Sequence, residues 1–290
     1  MNKKKRIIVT GANGQLGNAI RRWAPSFPDW EFLPTDVDRL DICDAEAVRS
    51  YVREAGAGYL VNCAAYTAVD KAEEFPELCM RLNADAVRNL GEAAQETGVK
   101  VIHLSTDYVF DGRSYRPYVE TDPTHPLSVY GKTKLAGEQA LRASCPDSVI
   151  LRTAWLYSEF GNNFVKTMLR LGAEKEQLNV LFDQIGTPTY AVDLAKAILD
   201  VISGERFIPG IYHYSNEGVC SWYDFVVRIF AHAGLSCRVM PIETKDYPAK
   251  APRPSYSVLN KGKIKQTYGV RIPHWEESLC RCLEEIKKNQ

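Results

Sequence analysis

Residues 6–17 read RIIVTGANGQLG, an apolar run closed by Thr10 and followed at once by Gly11, Gly14 and Gly17 at regular spacing. Ile7, Ile8 and Val9 form a run too short for a helix and fit a strand buried on both faces. A G-x-x-G-x-x-G pattern between a strand and a helix has a mechanism. The first glycine allows the tight turn, the second lets the main chain approach a pyrophosphate, and the third lets helix and strand pack closely. The helix N-terminus then offers N–H groups and the positive end of its dipole to the anion. This pattern points to a dinucleotide site, with Gly11, Gly14, Gln15, Leu16 and Gly17 around the phosphates. Asp36 follows the next apolar run, residues 31–34 (EFLP), at the spacing of about 20 residues from which an acid reaches the ribose hydroxyls of NAD. It reads equally as a turn or N-cap aspartate. Arg39 is near enough to meet a 2′-phosphate instead, so NADH and NADPH both stay open.

Outward from this turn, short apolar runs alternate with amphipathic stretches. Strands are expected at residues 6–10, 31–34, 59–63 (YLVNC), 101–105 (VIHLS) and 148–153 (SVILRT). Helices are expected from the glycine turn to Trp23, at 44–54, from about Leu78 to Thr97, and roughly at 129–142. Such alternation means right-handed βαβ units and a doubly wound parallel sheet covered on both faces. The second half is less regular, with helices expected at 164–171, 192–202, from Ser221-Trp222 to Ala233, and at 274–288. One more strand is expected at 210–214 (GIYHY), and the Pro-rich stretch 248–254 reads as a loop. We expect an α/β chain with a dinucleotide-binding domain at 1–157 continued by 187–216. Residues 158–186 and 217–290 would form a smaller α/β substrate lobe.

The 290 residues carry 36 Lys plus Arg against 36 Asp plus Glu, with 45% hydrophobic residues. The balance gives no reason to expect a nucleic-acid or membrane partner. The basic run Lys3-Lys4-Lys5-Arg6 precedes too short an apolar stretch for a signal peptide and reads as a solvated terminus. Eight cysteines without CxxC spacing fit reduced thiols in a cytoplasmic protein. Cys280 and Cys282 diverge on a helix, poor geometry for a shared metal.

Of fifteen tyrosines only Tyr130 has a lysine four residues on, Lys134, in YGKTK. On a helix opening after the 101–105 strand the two share a face, so the ammonium approaches the phenol and should lower its pKa toward neutrality. That makes Tyr130 a candidate proton donor or acceptor. Thr106 closes the same strand at the edge where doubly wound sheets hold ligands, placing a hydroxyl near a substrate carbonyl, although a strand-end threonine is common as packing. Ala64 and Ala65 after the 59–63 strand leave room for a nicotinamide ribose and serve equally as core filler.

These motifs resemble the extended short-chain dehydrogenase/reductase superfamily and, within it, the dTDP-4-dehydrorhamnose reductase family. The resemblance rests on GANGQLG (11–17), CAAYTAVDKAE (63–73), STDYVFDG (105–112), YGKTKLAGE (130–138) and RTAWLY (152–157). It continues through GNNFVKTML (161–169), DQIGTPT (183–189) and RPSYSVL (253–259), nearly end to end. It implies that Tyr130 protonates a C4 keto oxygen as the nicotinamide delivers hydride. Lys134 would hold the ribose and Thr106 would tune the tyrosine and bond the substrate. Asp36 would meet the adenosine ribose, and Asp41 with Ile42 would flank the adenine. Ala64, Ala65 and Thr67 would line the nicotinamide side. Val69, Asp107, Tyr108 and Trp155 would face the deoxysugar of a dTDP-sugar substrate, with Arg253 on its diphosphate. Ser158-Glu159-Phe160 departs from the glycine expected after Trp155-Leu156-Tyr157, which puts the shape of the sugar-side loop in question. Metal-linked dimers occur in the family, yet the first helix (Asn18 to Trp23) has no carboxylate, so no metal is expected and a homodimer stays open.

Two rivals accompany this reading. A sibling nucleotide-sugar epimerase or dehydratase shares fold and Tyr/Lys pair, but a dehydratase adds acids beside the threonine, and here Thr106-Asp107 is followed by Tyr108. A non-catalytic NAD(P)-binding regulatory subunit would not need Tyr130, Lys134 and Thr106 together.

Overall fold

The computed structural model describes residues 5–289. The first apolar run is strand β1 (Lys5–Thr10), and the glycine turn leads into α1 (Gln15–Trp23). Then follow β2 (Trp30–Thr35), α2 (Ala45–Ala55) and β3 (Tyr59–Asn62). Two short helices, α3 (Val69–Ala72) and α4 (Pro76–Met80), run through a π turn (Arg81–Asp85) into α5 (Ala86–Thr97). The single helix expected from about Leu78 therefore starts earlier and is interrupted. Asn83 in the π turn pairs with both the N–H and the C=O of Tyr66 (2.8 and 3.1 Å) and reaches Thr133 Oγ1 (3.2 Å). A π bulge that re-aims a side chain in this way commonly marks the surroundings of a site.

Strand β4 (Lys100–Thr106) precedes α6 (Val129–Ser144), whose N-terminus is capped by Ser128, and β5 (Val149–Thr153) follows. Beyond the two-residue β6 (Leu156–Tyr157) come α7 (Phe164–Glu174), β7 (Gln177–Leu181), β8 (Ile185–Gly186) and β9 (Thr189–Tyr190). Helix α8 (Ala191–Ser203) then leads to β10 (Gly210–His213) and β11 (Cys220–Ser221). The chain closes with α9 (Trp222–Ala233), β12 (Arg238–Ile242), α10 (Gly262–Tyr268) and α11 (Trp275–Lys288). The Ser221-Trp222 helix start is a capping box, Ser221 and Asp224 satisfying each other's main chain.

Six strands make one parallel sheet in the order β10-β5-β4-β3-β1-β2. The order turns back at β1, so the β1/β3 crevice is the place where a doubly wound sheet receives a ligand. The register lines up a polar edge there: Thr10 lies opposite Thr35 and Asn62, and Thr106 opposite Thr153. Residues 210–213 join this sheet although they lie far along the chain. Its buried core is continuous with the later helices, since Val9, Leu16 and Ile20 share one cluster with Phe225, Trp275 and Leu279. The later half is otherwise tied by short pairings, β6 with β9, β8 with β11 and the parallel β7 with β12.

Of the basic run, Lys3 and Lys4 lie outside the described residues. Lys5 is not freely solvated: its ammonium sits over Trp30 (4.8 Å to the ring centroid) and donates to the Ile202 carbonyl (3.3 Å). Among the described residues no helix is long and apolar enough to cross a membrane.

Candidate active site

A cavity of about 760 Å³ opens along the C-terminal edge of the sheet. It gathers Gly11, Gly14, Gln15, Leu16, Asp36, Asp41, Ile42, Ala64, Ala65, Thr67, Val69, Thr106, Asp107, Tyr108, Tyr130, Lys134 and Trp155, nearly all the residues singled out above. Gly17 sits behind the turn against Ala12 rather than on the cavity. Arg253 is also absent from its lining.

At one end the walls are main chain. Gly11 has φ +62°, and a Cβ there would meet Ala64 N at 2.7 Å, so any side chain would both strain the turn and close the β1/β3 crevice. Helix α1 starts at Gly14 with no side-chain cap and no acid in its first turn, which leaves its N–H groups free for an anion. Asp36 braces the turn: its carboxylate accepts from Asn13 N and Val37 N (both 2.9 Å). The aspartate is thus a loop brace as well as a cavity residue. Arg39 lies over the Tyr51 ring, 5.7 Å from its centroid.

At the other end the walls are side chains from β4 and α6. Tyr130, Lys134 and Glu138 recur every four residues along α6 and share a face. Lys134 is 2% exposed, and its Nζ donates to the Leu104 carbonyl at 2.6 Å. Burial lowers its pKa to about 8, partly countered by Glu138. Glu138 is in turn bidentate to Arg152 on β5 (2.9 and 2.7 Å) and accepts from Ser105 Oγ (2.5 Å). This buried ion pair fixes the base of the helix face that carries the tyrosine.

The Tyr130 phenol differs from the expectation. Burial pushes its pKa above the ordinary tyrosine value, the neighbouring Thr106 hydroxyl opposing the rise, and Lys134 is not among the causes. Beside its bond to Leu104 O the Lys134 ammonium keeps two further N–H groups, on the helix face that it shares with Tyr130. Tyr108 packs edge-on to Tyr130, ring centroids 5.5 Å apart. Thr106 Oγ1 donates to Asp107 Oδ1 (3.0 Å), while Asp107 Oδ2 is buried with no partner among the described residues. Burial raises the Asp107 carboxyl to about 6.

Trp155 holds φ 48°, the left-handed region unusual for a bulky residue. Its indole stacks on Trp222 of α9 (centroids 3.5 Å apart, planes 8° apart), and both line the cavity. Gly186 makes this possible, since a Cβ there would lie 2.6 Å from the Trp155 ring. Trp222 and Asn163 were not singled out from the sequence, and Ser158 only as a departure from the family pattern; the Ser158 and Asn163 side chains reach the cavity residue Gln15. Arg253, expected on the diphosphate, pairs with Asp70 through two contacts (2.7 and 3.2 Å). The carboxylate supplies the bidentate partner that a phosphate would otherwise offer.

Comparison with known proteins agrees with this geometry. The family model described as RmlD substrate binding domain matches residues 5–288. The chain is 44% identical over 285 residues to a dTDP-4-dehydrorhamnose reductase of Sinorhizobium fredii, covering 95% of this chain and 96% of the relative. A crystal structure of a dTDP-4-dehydrorhamnose reductase from Clostridium acetobutylicum is similar with a TM-score of 0.94 and 45% identity, covering 97% and 99% of the two chains. A Bacillus anthracis dTDP-4-dehydrorhamnose reductase solved in complex with NADP is similar with a TM-score of 0.93 and 41% identity, over 97% and 99%. With the sheet, the uncapped turn and the Tyr/Lys helix face already in place, the chain belongs to the dTDP-4-dehydrorhamnose reductase family.

Proposed function

We propose that the protein uses NADPH or NADH to reduce the C4 keto group of dTDP-4-dehydrorhamnose, giving dTDP-L-rhamnose, with Tyr130 as proton donor. The observation carrying this is one cavity that joins an anion-ready turn to Thr106, Tyr130 and Lys134. The relatives' names supply the substrate class, and the NADP complex of a similar structure supports the cofactor.

The residues present fit a dinucleotide: the Gly11 cradle would be filled by any Cβ, and α1 leaves its first-turn N–H groups uncapped. Gly14, Gln15 and Leu16 would hold its pyrophosphate, Asp36 its adenosine ribose, Asp41 and Ile42 its adenine, and Ala64, Ala65, Thr67 and Lys134 its nicotinamide half. When bound, the reduced nicotinamide supplies the hydride.

Tyr130 donates its O–H proton to the carbonyl oxygen as charge develops there. Burial keeps the phenol in the protonated form that a proton donor needs before transfer. Thr106, turning its hydroxyl proton from Asp107 Oδ1 to the substrate, hydrogen-bonds the same oxygen. Lys134 keeps its ammonium behind the tyrosine, anchored on Leu104 O, and stabilises the phenolate left by proton transfer. Asp107 Oδ2, buried and unpaired among the described residues, accepts from a sugar hydroxyl. Trp155, with Trp222 behind it, forms the apolar wall for the deoxysugar together with Val69 and Tyr108. We assign the nucleotide-binding layer to 1–157 with 187–216 and the sugar side to the remaining segments.

The test is turnover of dTDP-4-dehydro-L-rhamnose with each reduced cofactor, followed by loss of nicotinamide absorbance and identification of the sugar. dTDP-L-rhamnose supports the proposal, and no consumption with either cofactor refutes it.

A further inference from the structure

The segment after β6 departs from the family pattern at Ser158-Glu159-Phe160, which put the shape of the sugar-side loop in question. Its buried side chains grip helix α1. Glu159, 8% exposed, pairs with Arg22 in the last turn of α1 and accepts from Tyr190 Oη at 3.0 Å. Arg22 also pairs with Glu285 of α11 (3.0 Å), so the C-terminal end of α1 is tied to this segment and to the last helix.

At the other end of α1 the contact is to Gln15. Its Oε1 accepts from Asn163 Nδ2 at 3.0 Å and lies 2.9 Å from Ser158 Oγ, whose single proton it shares with the Phe160 carbonyl (3.0 Å). The orientation of Asn163 is set independently. Asn163 caps α7, its Oδ1 accepting from Lys166 N at 3.2 Å, and its two Nδ2 hydrogens are directed to the Ser158 carbonyl (2.7 Å) and to Gln15 Oε1, with the Phe160 carbonyl farther off (3.3 Å). With main-chain partners of opposite polarity on its two sides, the Asn163 amide has one possible orientation. The Gln15 atom facing that NH₂ must therefore be an acceptor. The Gln15 Nε2 is then turned the other way, with no partner among the described residues, on a side chain that lines the cavity beside Gly14.

We propose that Asn163 and Ser158 are positioning residues that fix the Gln15 amide with its Nε2 donating to the pyrophosphate of the bound dinucleotide. This rests on the cofactor site described under Proposed function. Through these contacts the segment that follows the sugar-side wall also sets a donor for the cofactor. The main-chain cradle supplies N–H groups of fixed direction, and the oriented amide adds a side-chain donor that a free glutamine would present only part of the time.

The experiment is equilibrium titration of NADPH, read by nicotinamide fluorescence, on the full-length protein and four variants: Gln15→Ala, Asn163→Asp, Ser158→Ala and Gln15→Ala/Asn163→Asp. Asn163→Asp keeps the helix cap, because aspartate caps as well as asparagine, but replaces the NH₂ facing Gln15 by an acceptor. The Gln15 amide should turn over and aim Oε1 at the phosphates. Kd should rise about tenfold, as expected for losing one hydrogen bond to a charged group. Gln15→Ala should cost a similar factor, and the double variant should bind like Gln15→Ala alone. Ser158→Ala should show a smaller rise, and it tests the idea even if Asn163→Asp does not fold. If the two losses multiply in the double variant, Asn163 acts by its own charge or through the fold, and the proposal is overturned. Unchanged Kd in Asn163→Asp, or in Ser158→Ala should that be the variant that folds, also overturns it. Wild-type protein that fails to bind NADPH would instead refute the cofactor reading beneath it.

Discussion

At the α1 end of the cavity the protein presents main chain, the turn from Gly11 into an uncapped helix. At the α6 end it presents Thr106, Asp107 and Lys134, all nearly buried, around a largely buried Tyr130. The two ends follow different physics. Main-chain N–H groups in a rigid turn bind charge without titrating, so that end should be insensitive to pH and intolerant of added volume. Buried side chains carry shifted pKa values, so the other end should be tolerant of isosteric change in structure but not in rate. The variants below separate the two.

The largest effect belongs to the side-chain end. Tyr130→Phe keeps the ring against Tyr108 and removes one hydroxyl, so kcat should fall by about 10²–10⁴, as is typical of a lost general acid, with NADPH affinity and Tm nearly unchanged. Near-normal turnover would remove Tyr130 from the chemistry.

The main-chain end is broken next by Gly11→Ala. The added methyl would lie 2.7 Å from Ala64 N at φ +62°, so NADPH affinity should drop by about ten- to a hundredfold through 1–3 kcal/mol of strain. Isothermal titration checks it, and wild-type affinity would show that the crevice does not hold the cofactor.

A third prediction uses pH. The folded pKa of Lys134, about 8, lies below the ordinary lysine value because burial disfavours the ammonium. Below pH 8 the empty protein already carries the charge. As pH rises through 8 the charge is lost, and a ligand that needs it must first restore a proton. NADPH affinity should therefore weaken above pH 8 in the wild type and stay flat in Lys134→Met, which should bind weakly throughout. The same slope in both proteins would assign it elsewhere.

Much of this site was legible because its signals are local. Thr10, Gly11, Gly14 and Gly17 lie in one turn, and Tyr130 and Lys134 lie one helical turn apart, so spacing alone brings them together. The strand at 210–213 was legible from its β-rich composition, and its place beside β5 follows from the parallel alternation. What was missed depends on long-range pairing. Strands β6, β8, β9 and β11 have two residues each and no periodicity to detect, and β7 and β12 pair across most of the second half. The π turn at Arg81–Asp85 leaves no mark in a helical pattern. Spacing shows that the Lys134 ammonium shares a helix face with Tyr130, but not that Leu104 O accepts from it or that burial raises the phenol's pKa. Arg253 was placed by motif, and its partner Asp70 lies far earlier in the chain. Ser158 was noticed only as a departure, since its partner Gln15 belongs to another motif.

The smallest expected effect concerns Asp36, where the two kinds of end meet. Its carboxylate braces the turn through Asn13 N and Val37 N, so Asp36→Ala should raise KM for both cofactors by a few-fold. The rise should be greater for NADH, because the same acid repels a 2′-phosphate while bonding a ribose hydroxyl. Steady-state kinetics with each cofactor decide it, and equal increases would make Asp36 a brace alone.

The central claim, that both ends of this cavity serve one reduction, is tested most directly by supplying purified protein with dTDP-4-dehydro-L-rhamnose and deuteride-labelled NADPH. The account predicts stoichiometric loss of nicotinamide absorbance and dTDP-L-rhamnose carrying the label at C4, with neither seen in Tyr130→Phe on the same timescale. Label retained on the cofactor, or a sugar product altered at any other carbon, would contradict it.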